Sequence, residues 1–342
     1  MTLQSPPWVS IIIVNYNGGR FLQPALDAVA TQTDQDFELI LVDNASTDGS
    51  LENLRTDHIP NFKLMALEEN TGFARGNNLA AGAASGNWIA LLNPDTIAHP
   101  DWVSEFRTAT LTHPAAMMIA GATIDMERPE RLDGAGDCYF AAGQPWRGGY
   151  QRSVSELPAI GECFSPCGAS ALFRRDVFLE AGGFDERFFC YCEDVDLGFR
   201  LRLEGHICIF WPQAKIAHFG SGATGVASPF SVRHGTRNRL WTFVQNMPTL
   251  ALIFLLPAHL LLTVLLILRA IPKGVLGPTL AGLVEGVLGI GGALRARKST
   301  QARRKLSSRQ ILKAMSWNPL RMLARKSDIR PIKRDTKPAS DP

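Results

Sequence analysis

The sequence predicts an α/β fold with a mainly parallel central sheet, followed by apolar C-terminal helices. Apolar, β-branched runs alternate with amphipathic segments through the first hundred residues, and each run ends in a polar, turn-forming cluster. Beyond residue 248 the chain changes to long, nearly uncharged stretches. Strands separated by short helices pair in parallel through right-handed crossovers. With 342 residues, the chain is long enough for one large domain and an appendage.

Residues 9–14 form a mostly β-branched run broken only by Ser10, as expected for a strand covered on both faces. Leu22, Ala25, Leu26 and Val29 follow at helical spacing, and residues 37–42 give the second strand. Ser46 or Asp48 is expected to cap a short helix running to Leu54. Residues 62–66 read as a weaker strand, residues 70–84 as an Ala- and Gly-rich helix that packs closely, and residues 88–92 as another buried strand. The pattern dissolves over residues 123–166, where loops and short strands are expected. It returns as a strand at 168–173, helices at 176–181 and 193–204, a strand at 207–211 and an amphipathic helix at 234–247. Residues 1–247 therefore form the main domain.

Apolar residues make up 46% of the chain and charged residues 20%, so a sizeable core can form and disorder is not the default. The net charge of +3 conceals an asymmetry. Residues 295–342 hold 15 Lys/Arg against 3 Asp/Glu, leaving the rest acidic. Such a tail points to a polyanion, either anionic lipid or nucleic acid. The six cysteines form no C-x-x-C pair and no zinc-site spacing, and read as reduced thiols of a cytoplasmic protein. The first seven residues lack the basic start and apolar run of a signal peptide. No G-x-G-x-x-G follows the first strand, which argues against a dinucleotide oxidoreductase.

Chemistry is expected at the strand ends, because ligands of such sheets gather at the carboxyl edge. The first strand ends in Asn15-Tyr16-Asn17-Gly18, the second in Asp43-Asn44-Ala45-Ser46, and the fourth in Asn93-Pro94-Asp95. Asn, Asp and Gly are also ordinary turn residues, so any one cluster has a bland explanation. Three together, with Arg75 in Asn70-Thr71-Gly72-Phe73-Ala74-Arg75, suit a nucleotide diphosphate. One aspartate can accept a base N–H, an aromatic ring can stack on the base, and a second aspartate can hold Mg2+ or Mn2+ against the phosphates.

In this order the blocks resemble those of family 2 glycosyltransferases with the GT-A fold, a mixed, mainly parallel sheet that takes nucleotide-diphospho-sugars. The resemblance covers roughly residues 8–245 and is similar to bacterial rhamnosyltransferase-like members. It implies that Asp43 binds the base with Tyr16 beside it, that Arg75 lies near the nucleotide, and that Asp95 is the metal ligand of the D-x-D element. Asn93 stands where the first acid of that element would be, which removes one charge from the metal site. Cys192-Glu193-Asp194-Val195-Asp196 looks like the family's acidic block before a helix. It implies Asp194, with Glu193 second, as the base of an inverting single displacement. Helix capping is the plain alternative for both, and an ion pair with Arg200 is expected for Asp196. His218 is implied as a second metal ligand or a diphosphate contact. Gly168, Arg237 and Asn238 are implied on the acceptor side, with strand packing and a solvated helix face as alternatives.

Residues 250–268 carry no charge and, as a helix, span about 28 Å, close to a bilayer's hydrocarbon thickness. Residues 274–294 form a second apolar run with one acid, Glu285. A membrane-associated segment over residues 248–294 is expected, either a two-helix hairpin or helices lying in the interface. A basic cytoplasmic tail follows over residues 295–342, its last dozen residues disordered. The reading that results is a hexosyltransferase at the cytoplasmic face of a bacterial inner membrane. It moves a sugar, rhamnose first, from dTDP- or UDP-sugar to a glycan or polyprenyl-linked acceptor, with the tail on anionic lipid. A catalytically inactive, partner-binding relative is the alternative. A nucleic-acid-binding protein is disfavoured, because the tail has no interleaved aromatics beyond Trp317.

Overall fold

The computed structural model describes residues 5–52, 54–220 and 228–332. Its first unit is β1 (Val9–Asn15), α1 (Leu22–Ala30), β2 (Phe37–Asp43), β3 (Phe62–Ala66), α2 (Gly72–Ala83) and β4 (Trp88–Leu92). These strands pair in parallel in the order β3-β2-β1-β4. Then come β5 (Thr96–Ala98), α3 (Trp102–Thr112), β6 (Ala116–Asp125), β7 (Leu132–Ala135), β8 (Asp137–Phe140), β9 (Gln144–Arg147), β10 (Gly161–Cys163), β11 (Ser170–Arg174), α4 (Arg175–Glu180), α5 (Glu193–Leu203) and β12 (Ile207–His218). β11 lies antiparallel between β4 and β6 and makes the sheet mixed, while β8 and β9 form a separate hairpin.

Packing on both faces explains why β1 is apolar at every position but Ser10 through Val14. Ile11 and Ile13 pack with Leu22 and Leu26 of α1 on one face, and Ile12 and Val14 with Ala74, Ala80 and Ala81 of α2 on the other. Both faces are dry, so no polar alternation survives. The small residues of α2 let it approach closely: a Cβ on Gly76 would lie 2.9 Å from Val14.

Helices follow the sheet: α6 (Pro229–Asn246), α7 (Thr249–Ala270), α8 (Leu276–Leu288), α9 (Ile290–Ala302), α10 (Ser308–Ala314) and α11 (Pro319–Leu323). α6 begins earlier than its amphipathic pattern indicates, because Ser228 accepts from the Ser231 N–H and Pro229 occupies the first turn.

Four expectations are corrected. Among the described residues between Ser46 and Leu54 no helix forms, because the Ser46 hydroxyl accepts from the Asn17 N–H at 3.0 Å and Asp48 accepts from the Ser50 N–H at 3.0 Å. The polar side chains that would have capped a helix join two loops instead. β12 runs on to His218 past Pro212, with an irregularity in its pairing with β6 between Trp211 and Lys215. The second apolar run is two helices bent by 58°. The basic segment from residue 295 is not a loose tail: the Ala141 N–H donates to Ser316 O at 2.9 Å, and Glu162 and Arg330 exchange backbone hydrogen bonds at 2.7 and 2.9 Å. The disorder expected of the last dozen residues concerns, from residue 333 on, positions outside the described residues.

Glu38 ties three segments at the far edge of the sheet. It is 2% exposed and accepts from Ser10 Oγ, Lys63 Nζ and the Ser85 N–H, each at 2.6 Å. Burial opposes its charge, but these donors outweigh burial and bring the carboxyl down to about 2. Its stabilisation is therefore complete above the ordinary value near 4.5 and lost as pH falls through about 2. Glu38→Gln is expected to cost about 2 kcal/mol at pH 7 and less than half of that at pH 3, since Lys63 is half exposed and solvent screens part of the pair. Urea unfolding at the two pH values checks this, and a cost that does not change with pH contradicts it.

Candidate active site

The parallel register brings Asn15 of β1 opposite Asp43 of β2, both at the carboxyl edge. Asn15 Nδ2 donates to Asp43 Oδ1 at 3.0 Å, and Asp43 Oδ2 accepts from the Ser46 N–H at 3.1 Å. Asp43 is thus held in place as an acceptor at the end of β2, and Tyr16, which follows Asn15, is partly exposed. Asn44 bonds Asn70 and the Thr71 N–H and so pins the start of α2 to the end of β2. Arg75 lies one turn into α2, 4.0 Å from Glu186, and borders a hollow of about 410 Å³ with Glu68 and Thr71.

β4 delivers Asn93, Pro94 and Asp95 to the same edge. Gly18, after β1, lies beside them: a Cβ there would sit 3.6 Å from Pro94. Asn93 is half-buried, and its carbonyl accepts from Thr96 Oγ1 at 2.6 Å. Antiparallel pairing of β5 with β12 sets His218 opposite Thr96. His218 Nε2 is 3.2 Å from Asp95 Oδ1, and its Nδ1 is 2.7 Å from Asp133 Oδ2. Arg147 Nη1 donates to the same Asp133 oxygen at 2.6 Å. The result is a buried row of alternating charge: Arg147, Asp133, His218, Asp95. Burial disfavours the imidazolium, but the two carboxylates outweigh it and push His218 up to about 9. Asp133 is held well below the usual carboxylate range, its own burial being outweighed by Arg147 and His218.

Asp194 stands in the first turn of α5. Its Oδ2 accepts from the Gly168 N–H at 2.9 Å and its Oδ1 from the Val195 N–H at 2.8 Å. Gly168 fits between Phe73 and Asp194, for a Cβ there would lie 3.1 Å from the Phe73 ring. This contact joins the α5 terminus to the α2 side of the edge. Asp137 and Cys167 lie against Asp194, with one ligand atom from each of the three groups within 4.8 Å of the others. Burial raises both carboxyls, and the neighbouring Asp194 and Asp133 charges raise Asp137 further. Burial also raises Cys167, and a protonated thiol is a poor partner for a hard cation. Glu193 is buried with Oε2 unbonded and is raised by burial and by Asp194. Asp196 pairs with Arg200 at 2.9 Å, the ordinary ion pair expected of it.

The loop ahead of Asp194 is strained, with Phe189, Tyr191 and Cys192 all at positive φ. Asn238 of α6 holds it. Its amide is wholly buried and donates to the carbonyls of Phe188, Cys190 and Tyr191 at 3.0, 2.8 and 2.7 Å, and Arg237 donates to the Phe188 carbonyl at 2.8 Å. The resemblance implies both on the acceptor side; in the structure they shape this loop, because a buried carbonyl without a donor is costly.

With the geometry in place, the chain can be set beside known proteins. The model of the family described as "Glycosyl transferase family 2" matches residues 10–181, which contain β1 to β4, Asp43 and Asp95. The chain belongs to glycosyltransferase family 2. It is 28% identical over 241 residues to the N-acetylglucosaminyl-diphospho-decaprenol L-rhamnosyltransferase of Mycobacterium tuberculosis, covering 63% of this chain and 77% of that protein. Among solved structures, the mannosyltransferase PcManGT of Pyrobaculum calidifontis, in complex with GDP-Man and Mn2+, is similar at TM-score 0.53 and 16% identity, over 93% of this chain and 87% of that one. GalNAc-T7 with UDP, GalNAc and Mn2+ is similar at TM-score 0.53 and 15% identity, over 68% of this chain and 48% of that one. These glycosyltransferases place the fold in the GT-A class.

In this family 2 glycosyltransferase, sequence reasoning missed Asn15, Asp133, Asp137 and Arg147. Three of them fall in residues 123–166, where periodicity fails; the only signal there is a pair of acids four apart among small residues. The clamp on the strained loop is open to direct measurement. Asn238→Asp replaces the donating amide with an acceptor that opposes three carbonyls. A loss of about 3 kcal/mol is expected by denaturant unfolding, and a loss below about 1 kcal/mol contradicts the clamp.

Proposed function

We propose that this enzyme transfers a sugar, with inversion at the anomeric carbon, from a nucleoside-diphosphate donor to a lipid-linked acceptor at the cytoplasmic membrane face. One observation carries the reading: Asp43, the Asp95–His218 pair and Asp194 lie along one edge of the sheet, though far apart in the chain. Asp43 keeps lone pairs free to accept the N–H of a pyrimidine, and Tyr16 offers a ring beside it.

The residues present fit a divalent cation. Asp95 Oδ1 and His218 Nε2 stand 3.2 Å apart, a separation that two ligands of one cation adopt when each is about 2.1 Å from it. Asp133 on Nδ1 orients the ring, as carboxylates behind ligating histidines do. With Asn93 in place of an acid, His218 would supply the second donor by giving up its Nε2 proton as the cation binds, with Nδ1–H kept on Asp133. When bound there, the cation would neutralise charge on the departing diphosphate. Mg2+ and Mn2+ both suit this donor set.

Asp194 serves as the base. Two backbone N–H groups fix its orientation, and burial raises its proton affinity toward that of an attacking hydroxyl. Similarity to the mycobacterial rhamnosyltransferase supports dTDP-rhamnose as donor, ahead of UDP-sugars, and a polyprenyl-diphosphate sugar as acceptor.

The test is transfer from dTDP-rhamnose to a short synthetic polyprenyl-diphosphate sugar, followed by mass spectrometry. Asp194→Asn is expected to lower kcat by about 10³ or more with donor affinity within about twofold. Because the base must be ionised and burial raises it, wild-type kcat should still be climbing with pH above the ordinary carboxylate range. Full activity of Asp194→Asn would remove it as the base.

A further inference from the structure

We infer that the chain docks on a membrane without crossing it: α7 lies flat in one leaflet, and the basic turn of α10 and α11 meets anionic headgroups. This deepens the lipid-linked reading above, on which it rests for the identity of the surface. The observations that carry it lie outside the active site.

α7, with 22 residues, is long and apolar enough to cross. Its contacts forbid it. The buried stripe Ala251, His259, Leu262, Ala270 runs at helical spacing from the first turn to the last. Near its start, Ala251 packs with Ile311 and Met315 around α10. At its midpoint, the His259 ring stacks on Phe243 with centroids 4.0 Å apart, and its Nδ1 lies 2.9 Å from the Ala142 carbonyl. One turn on, Arg239 Nη2 donates to Thr263 Oγ1 at 2.6 Å. If α7 spanned a bilayer, its midpoint would carry Arg239 and the β8–β9 turn to the depth where charge is least tolerated.

A second crossing is excluded in the same way. Trp241 Nε1 of α6 donates to the Gly286 carbonyl of α8 at 2.9 Å, and Arg297 of α9 donates to the Val244 carbonyl at 2.8 Å. The 58° bend between α8 and α9 keeps both against α6. Of the two arrangements open to residues 248–294, only the interfacial one accommodates these bonds.

The outer face of α7 carries Ile253, Phe254, Leu260, Leu261, Val264 and Leu265, each more than half exposed. Water-soluble monomers rarely carry apolar faces of this extent. Charge selects the occupant. Arg269 lies in the last turn of α7, and Lys273 follows its end. Beside its start, Arg309, Lys313 and Arg321 border a hollow of about 740 Å³ together with Trp317, which is 55% exposed. A second copy of the chain would bring the same cations together, whereas an anionic leaflet complements them and takes the indole at its interface. α6 then sets the height of the active site: its Asn238 holds the loop before Asp194, and its Trp241 holds α8.

The test uses the full chain and vesicles of phosphatidylcholine with or without about 30% phosphatidylglycerol. Wild type is expected to float with anionic vesicles. The variant Phe254→Glu/Leu261→Glu should bind at least tenfold less while its transfer to a water-soluble acceptor stays within about twofold, so loss of docking and loss of catalysis are told apart. Arg309→Glu/Lys313→Glu should lose the dependence on phosphatidylglycerol. In bacterial spheroplasts, Lys273→Cys should resist an impermeant maleimide and react only in inverted vesicles. Equal flotation of Phe254→Glu/Leu261→Glu and wild type overturns the proposal. So does labelling of Lys273→Cys in intact spheroplasts, or a stable dimer that leaves vesicles unbound.

Discussion

The pairing of β4 decides where every polar group of the site ends. On one side it runs parallel to β1, so that the chain leaves both strands at the same edge. On the other it runs antiparallel to β11, whose first residue, Ser170, stands opposite Leu92. The chain therefore enters β11 where it leaves β4, and Gly168 arrives beside the end of the Asn93–Asp95 segment. From Gly168 one backbone N–H reaches Asp194. Turning β11 round would send Gly168 and Asp194 to the opposite edge.

Around that edge the protein buries charge in alternation. Arg147, Asp133, His218 and Asp95 form a row in which each ion has an opposite neighbour, which offsets a desolvation that none would survive alone. Asp137 and Asp194 stand close together instead, and burial raises both carboxyls. One site thus holds carboxylates of two kinds, one ionised and set against a cation, the other raised and suited to accept a proton. The strained loop over Phe189–Cys192 belongs to the same economy of space: it delivers the α5 terminus to the edge and persists because Asn238 occupies its carbonyls.

Much of this was legible in the chain. The β-branched runs marked β1, β2 and β4, and the polar residues after them marked the edge, because a strand covered on both faces leaves little place for polarity within it, Ser10 and Glu38 being bonded to each other. Asp43, Asp95, Asp194 and His218 were found that way or through family resemblance. What stayed hidden depends on contacts between distant segments. Ser46 has the chemistry of a helix cap, and only the nearness of the β1 loop turns it to Asn17. Asp133, Asp137 and Arg147 lie where no period shows, and their roles follow from a hairpin folding over the sheet. Asn238 reads as a polar helix residue until the loop it clamps is seen. The basic segment reads as a tail, because backbone pairing with Glu162 and Tyr139 leaves no trace in composition.

The central claim is that one sheet edge gathers the groups for a nucleotide diphosphate and its cation. Crystals grown with Mn2+ and a nucleoside diphosphate, measured at the manganese absorption edge, address it most directly. The account predicts an anomalous peak about 2.2 Å from both Asp95 and His218 Nε2, with the base against Asp43. A peak among Asp137, Cys167 and Asp194, or a nucleotide bound away from Asp43, would contradict it.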